Sequence, residues 1–424
     1  MKLEFRKLYV EDIDFGESFD YQKKKLIINK KVLIDEILRD PKIISVSIDL
    51  AKPGESKRIL PVKDVIEPRA KVNGSNFPGI VDEIKQVGEG ITYSLKGCAV
   101  VTTGPIVGFQ EGIIDMSGPM VEYTPFSKLN NIVLNIKCTK ELDNHEHEEL
   151  IRKTGLYVAQ YIAKKFTDFE KYESVIHYFH DNNESTMSRF PRIGYVYLCM
   201  SQGLLHDTYF YGRDSKKIIP TFTSPLETID GALVSGNCVS PGSKNTTYHH
   251  QNNEVINQLF ENDGIEIVFA GTVLTPLMTT LADKRRNAMM TIKLMEYLKV
   301  DGVIISQEGF GNPTTDLMMI SEGLEKKGIK TVLISNEDAG VDGRSEPLPD
   351  GNEYADAIIS TGNSNQTITL PAMEIVLGEL KEVERITGGF KGSVRPDGKL
   401  TIEVHGIMGS HNLLGDTKLR AVTK

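Results

Sequence analysis

The sequence predicts an α/β protein with a β-rich N-terminal region and a C-terminal domain in which a mostly parallel sheet is flanked by helices. Two observations carry this. Beyond about residue 265, short apolar runs alternate with longer helical periods, the pattern of crossovers between parallel strands. Before about residue 135, β-branched and alternating segments punctuated by turns dominate. Size agrees, since 424 residues exceed what one hydrophobic core usually serves.

In chain order, Leu26-Ile27-Ile28, Ile43 to Ile48 and Ala99-Val100-Val101 read as strands, with Lys31 to Leu38 the helical period among them. A longer helix begins near Asp143. Ile151, Gly155, Val158, Ile162 and Phe166 share one of its faces, and Asp143 with Glu146 three residues on makes a capping-box start. Ile265 to Ala270 is an apolar run short enough for a strand buried on both faces. Leu281, Ala288, Ile292, Met295 and Leu298 mark a helix, and Val303-Ile304-Ile305 a strand. Leu317 to Leu324 is helical, and Val332-Leu333-Ile334 and Ala357-Ile358-Ile359 are strands again. Gly388 to Val404 returns to glycine-punctuated β character, and no internal repeat is visible.

Ligands of open parallel sheets bind beyond the carboxyl ends of the strands. Those ends read Gly271-Thr272, Gln307 to Asn312, Asn336-Glu337-Asp338 and Thr361-Gly362-Asn363, all small or polar as a site rim requires. Gly309-Phe310-Gly311 lacks the third glycine of a dinucleotide loop. It reads as a tight turn needing positive φ, and no nucleotide is expected.

Forty-nine Lys and Arg against 58 Asp and Glu leave a net charge of −9. That argues against nucleic acid or an anionic membrane as partner, since both call for clustered cations. With 40% hydrophobic and 25% charged residues the chain is expected to pack rather than stay disordered. No apolar run approaches the roughly 18 residues that cross a bilayer. Met1-Lys2-Leu3-Glu4-Phe5-Arg6 lacks a secretory apolar segment, so a cytoplasmic protein is expected.

Cys98, Cys138, Cys199 and Cys238 show neither CxxC nor zinc-ligand spacing. The first three lie among apolar residues and are expected to be small buried hydrophobes. His145 and His147 would point about 200° apart on a helix and cannot share a metal. His145 and Glu149 could, but no third ligand is local. The stretch from His145 to Glu149 therefore reads as a solvated acidic first turn complementing the helix dipole, and no metal is expected. His249-His250 follows a polar stretch and is expected on a loop, either merely exposed or supplying a base near residue 238. His206-Asp207 fits an oriented imidazole and a hydrogen-bonded core pair equally well.

The informative segment is Leu233-Val234-Ser235-Gly236-Asn237-Cys238-Val239-Ser240-Pro241. Gly236 admits backbone conformations closed to other residues, so strain can be stored at the next peptide bond. A thiol after a strained bond can attack the preceding carbonyl through a five-membered ring, turning the amide into a thioester. Removal of the Cys238 α-proton would then eliminate the sulfur and leave dehydroalanine, whose tautomer hydrolyses to a pyruvoyl group. The chain would part between Asn237 and Cys238. A buried cysteine in a β-turn and an ordinary thiolate nucleophile fit the same local residues.

Longer stretches carry more information: Pro61 to Arg69 (PVKDVIEPR), Val100 to Pro119 (VVTTGPIVGFQEGIIDMSGP), Gln202 to Thr221 (QGLLHDTYFYGRDSKKIIPT), Ser235 to Ser240 (SGNCVS) and Asp301 to Asn312 (DGVIISQEGFGN). In these, from Pro61 to beyond Gly343, the chain resembles the proprotein that yields the α and β subunits of component B in glycine, sarcosine and betaine reductases. Cys238 matches the family's processed cysteine, and Asn237-Cys238 its cleaved bond. Pro241-Gly242-Ser243 departs from the form associated with the glycine-specific member, which leaves the substrate open. With residues 1–135 read as β-rich from their patterning, that cut leaves an α/β segment over 136–237 completing the first subunit and an α/β domain over 238–424.

The resemblance implies a chemistry. A covalent pyruvoyl group derived from Cys238 condenses with a small amino-acid substrate to a Schiff base and draws electrons from the C–N bond. A selenoprotein subunit of component B then supplies a selenolate that attacks the α-carbon and releases the amine. The carboxymethyl group passes by a carrier selenoprotein to a component that forms acetyl phosphate, with thioredoxin-type thiols as reductant. His249, His250, His206 and Glu308 are the candidate bases for the Cys238 α-proton. Two other classes stay open. A pyruvoyl-dependent amino-acid decarboxylase would need this protein alone, and a non-catalytic binding protein with an inert Cys238 would keep its chain in one piece.

Overall fold

The computed structural model describes residues 1–167, 172–180, 189–236 and 240–415. Among these, β1 (Ile43–Ala51), β2 (Lys57–Ile66), β3 (Cys98–Thr103), β4 (Gly112–Asp115) and β5 (Asn130–Cys138) form a sheet in the order β4-β2-β3-β5-β1. Every residue of β3 is buried, as its run of small and β-branched side chains requires. Lys2–Tyr9, Arg69–Val72, Gly90–Lys96 and Ser174–Phe179 make a second, four-stranded sheet. The expected β-rich region is therefore present.

Helix α1 (Asn144–Lys164) starts on the capping box formed by Asp143 and Glu146. It lays Ile151, Val158 and Ile162 into the core. Gly155 sets how closely it approaches β3, since a Cβ there would stand 2.3 Å from Thr102 Cγ2. Its first turn differs from expectation. His147 and Glu148 are buried, and Glu148 faces Arg152 at 3.2 Å, so this turn is a packed ion pair instead of a solvated acidic end.

The parallel sheet is built from β6 (Arg192–Cys199), β7 (Thr221–Thr223), β8 (Val268–Pro276), β9 (Gly302–Gln307), β10 (Lys330–Glu337) and β11 (Ile358–Asn363). The order is β7-β8-β6-β9-β10-β11, parallel throughout except for the β7–β8 edge. A short helix α2 (Thr247–Gln251) packs against β2. Helices α3 (Leu281–Tyr297) and α4 (Asn312–Glu325) pack on each other and on this sheet, at the places their periodicity predicts. A further strand, β12 (Ile375–Leu377), leaves this half and pairs in parallel with β2. No helix among the described residues is long and apolar enough to cross a membrane.

Three readings need correction. The apolar run from Ile265 begins in a turn at Gly264, which has φ +76°, and Ile265 is 65% exposed. The strand starts at Val268 and runs on to Pro276, which puts Gly271-Thr272 in mid-strand and away from its end. Apolar continuity marks a buried strand but not where it starts. β6 has no counterpart in the sequence reading, although it lies at the sheet's centre. Its flanking Arg192 and alternating Tyr195 and Tyr197 gave it no clean apolar run. Between Gly388 and Val404 only Leu400–Glu403 is a strand, paired with Thr367–Leu370, because turns occupy the rest.

β6 and β7 precede residue 237, whereas β8 to β11 follow it. Severing the chain between Gly236 and Ser240 would leave β6 on one piece and both its neighbours on the other. Chain-cut protein is expected to elute as one species in native size-exclusion chromatography and to separate only in denaturant. Elution as two species in native buffer would contradict the central place of β6.

Candidate active site

The carboxyl ends of β6, β9, β10 and β11 open on a cleft of about 270 Å³. Met200 follows β6, Phe310 lies beyond β9, Asn336 and Asp338 stand at the end of β10, and Ser364 follows β11. Ser240, the first described residue after the 237–239 segment, lines the same cleft. Two of the predicted rim segments, Gln307 to Asn312 and Asn336 to Asp338, thus contribute directly. Gly309 and Gly311 adopt the positive φ expected of them, +73° and +89°.

Asn237 and Cys238 lie outside the described residues. Their flanks are held on both sides. The Ser235 amide donates to Thr247 Oγ1 at 3.1 Å, and Thr247 donates from its own amide and hydroxyl to Asp64, at 3.0 and 2.6 Å. Asp64 sits in β2, where burial raises its carboxyl above the usual range. On the other side Ser240 Oγ pairs with Ser243 Oγ at 3.1 Å, and the Pro241 and Gly242 carbonyls accept from Gly409 and His411. Gly236 is explained differently from expectation. Its φ is outside the left-handed region, and glycine is required because a Cβ would lie 2.3 Å from the Asp207 carbonyl oxygen. Close approach of two chain segments, not a special dihedral, excludes a side chain here.

His249 and His250 are not on an exposed loop. Both lie in α2 and are buried, because the polar residues before them are themselves buried and hydrogen-bonded, with Thr246 capping the helix. Asn245 donates to the Tyr197 hydroxyl at 2.8 Å, and that hydroxyl pairs with His250 Nδ1 at 3.1 Å. His250 Nε2 lies 3.7 Å from Glu308 Oε1. Glu308 Oε2 accepts from the Met200 amide at 2.7 Å and from the Thr208 hydroxyl. Burial pushes Glu308 up to about 7 and the two imidazoles down to about 3. His250 and Glu308 are thus brought together as neighbours, each with one atom lacking a hydrogen-bond partner among the described residues.

The other two candidate bases are engaged elsewhere. His249 accepts at Nδ1 from the Thr246 amide at 3.2 Å and packs its ring on Phe126, centroids 5.0 Å apart. The His206 ring contacts the Tyr209 hydroxyl at 2.7 Å and the His145 carbonyl at 2.9 Å, an oriented ring serving the start of α1. Asp207 is not its partner, since that carboxylate takes the Gly203 amide at 2.6 Å and Lys216 at 2.7 Å. Tyr197, Thr208, Asn245 and Thr247 were not singled out in the sequence. The one available signal was the uncharged polar run Asn245-Thr246-Thr247, which is as polar as a loop and here is buried.

His145 and Glu149 gain no third ligand, and no cluster of three His, Cys, Asp or Glu able to hold a metal occurs among the described residues. Cys98 and Cys199 are buried as expected, but Cys138 is only half-buried, with its thiol pushed up to about 11.

The family described as glycine/sarcosine/betaine reductase component B subunits matches residues 1–422. A protein named glycine reductase complex component B subunits alpha and beta, from Acetoanaerobium sticklandii, is 47% identical over the full length of both chains. The sarcosine reductase complex component B subunit alpha of Peptoclostridium acidaminophilum is 45% identical across 99% of each chain. The betaine reductase complex component B subunit alpha of that organism is 35% identical across 98% of each. No solved structure matches.

Two outcomes follow from the geometry. Gly236→Ala must displace the Asp207 carbonyl and is expected to cost about 1–3 kcal/mol in a urea titration; an unchanged midpoint would deny the close approach. The buried imidazoles bind fewer protons folded than unfolded between about 3 and 6.5, so their contribution is lost as pH falls through that window. Glu308 acts oppositely, its contribution being present below 4.5 and lost as pH rises through about 7. His250→Asn should therefore lose about 2 kcal/mol less than the parent between pH 6.5 and 4.5. Parallel losses in both proteins would mean that the ring is not held neutral.

Proposed function

The chain belongs to the glycine/sarcosine/betaine reductase component B family, and on that premise we propose that it is a proprotein cut between Asn237 and Cys238. The terminus so exposed carries a pyruvoyl group made from Cys238, and the substrate is a small amino acid whose C–N bond is cleaved reductively. The observation that carries this reading is the anchoring of both flanks of residues 237–239 beside the cleft at the sheet's carboxyl ends. The name of the Acetoanaerobium relative, which gives two subunits to one chain of matching length, supports the cut.

The residues present fit such a group. Thr247 and Asp64 hold the segment before the cut, and Ser240 leads from it into a cleft sized for a small ligand. When formed, the group supplies an electron-withdrawing ketone that an amine can join, which weakens the neighbouring C–N bond. Glu308 is the base of this reading. At about 7 it takes or returns a proton near neutral pH, and His250 Nε2 faces its Oε1. His249 and His206 are given structural roles.

The chain contains no selenocysteine. Burial holds the Cys98 and Cys138 thiols well above their ordinary range. The nucleophile for the α-carbon is therefore assigned to a selenoprotein partner. Its selenolate would form the Se–C bond as the C–N bond breaks, and water would then free the nitrogen from the ketone carbon as the amine. A carrier selenoprotein, a dithiol reductant and an acetyl-phosphate-forming component follow.

Intact mass under denaturing conditions should show two pieces, 1–237 and 238–424. Cys238→Ala should remain one chain, Glu308→Gln should cut more slowly, and Cys98→Ala or Cys199→Ala should cut normally. A mature, active protein in one uncut chain would sink the proposal. Ammonia or methylamine should be released from glycine or sarcosine only when the selenoprotein and a dithiol are added. Carbon dioxide evolved by the purified chain alone would favour the decarboxylase instead.

A further inference from the structure

The cleft has two chemically distinct ends. One is the start of α4. It is a helix of 14 residues that begins at Gly311 with no side-chain cap and no acidic residue in its first turn. A Cβ built on Gly311 meets nothing within 4 Å, so the turn borders open space, and Asn312 and Pro313 line the cleft. Pro313 has no N–H and the Thr314 amide donates to the Gly311 carbonyl at 3.0 Å, so this start offers an anion the Asn312 amide and the helix dipole. No Lys or Arg lines the cleft among the described residues, so nothing else there competes for a negative group.

The other end is Asn336, which is 2% exposed yet lines the cleft. Its Nδ2 reaches Ser364 Oγ only at 3.5 Å, and its Oδ1 has no partner among the described residues. An unpaired buried acceptor costs free energy until a donor arrives. Next to it Asp338 adds a negative charge, held by Ser364 Oγ at 2.6 Å. Anion-seeking and donor-seeking groups thus face one small space.

We infer that this cleft binds an α-amino acid as a dipole, its carboxylate on the N-terminus of α4 and an N–H of its amine on Asn336 Oδ1. The inference rests on the function proposed above only for where the reacting group lies. It bears on the choice of substrate, because an amine accepted by Asn336 must carry a hydrogen. Glycine and sarcosine do, and betaine does not. A quaternary ammonium would instead need several aromatic faces, and Phe310 is the single Phe, Tyr or Trp lining the cleft among the described residues.

The test is equilibrium dialysis of labelled glycine against the full chain, without reductant. Asn336→Ala should raise the half-saturating concentration about tenfold, the loss of one hydrogen bond to a charged partner. Acetate and sarcosine should compete with the label, and betaine should not. No glycine binding, equal binding by parent and variant, or competition by betaine as good as by sarcosine would each overturn the inference. If Asn336→Ala fails to fold, the competition series on the parent decides alone. Borohydride fixation of the same glycine onto the 238–424 piece reports separately on the proposed function. Glycine bound but never fixed removes the ketone and leaves the dipole site standing. Glycine fixed with no effect of Asn336→Ala or acetate removes the dipole site and leaves the ketone.

Discussion

β6 is paired in parallel along both edges, with β8 on one side and β9 on the other. Its side chains are buried from Gly194 onward. Everything at the site depends on that placement. The strand's carboxyl end delivers Met200, whose amide fixes Glu308, and Tyr197, whose hydroxyl pairs with His250 Nδ1. The segment beyond it carries His206 and Asp207 to their contact with Gly236. A strand moved by one residue would turn Tyr195 and Tyr197 to the opposite face and undo all three.

Around this strand the interior is polar to an unusual degree for a region so closed. Asp64, Thr247, Asn245, Tyr197, His250 and Glu308 are all buried, and they are joined by hydrogen bonds or close contacts. Buried polar groups are tolerated when paired and costly when not. Those left with an open atom, His250 Nε2 and Glu308 Oε1, are therefore the ones that point to chemistry, whereas the Asp64–Thr247 link is scaffolding. His249 also leaves Nε2 open, so what sets His250 apart is the Glu308 carboxylate 3.7 Å from its ring, a difference composition could not show.

Much of the fold is legible in the sequence because periodicity reports burial directly. The face Ile151, Val158 and Ile162 of α1 and the runs at Val303 and Val332 are examples. What escapes is instructive. β6 buries two tyrosines whose hydroxyls are hydrogen-bonded, to Ser306 and to Asn245 and His250, so its polarity hides a central strand. The run from Lys244 to Gln251 looks like a loop for the same reason. Local polarity marks solvent only when no other buried polar group is available to satisfy it. The location of the cleft was readable from strand ends, but the grouping of His250 with Glu308 was not, since 58 residues separate them and only the fold brings α2 over the end of β9.

The two halves trade strands in both directions. β6 and β7, made early, complete the later sheet, and β12, made late, completes the earlier one through β2. During synthesis the first 237 residues would therefore leave the ribosome with β6 lacking both neighbours and β2 lacking an edge partner; the later sheet closes only once residue 363 has emerged, and the earlier one only at residue 377. Until then each half exposes strand edges that invite pairing with other chains. Joining both halves in one polypeptide fixes their ratio at one to one and keeps the missing strands at high local concentration. Two separately translated subunits would have to find each other while still unfinished, so any division of the chain would have to follow folding.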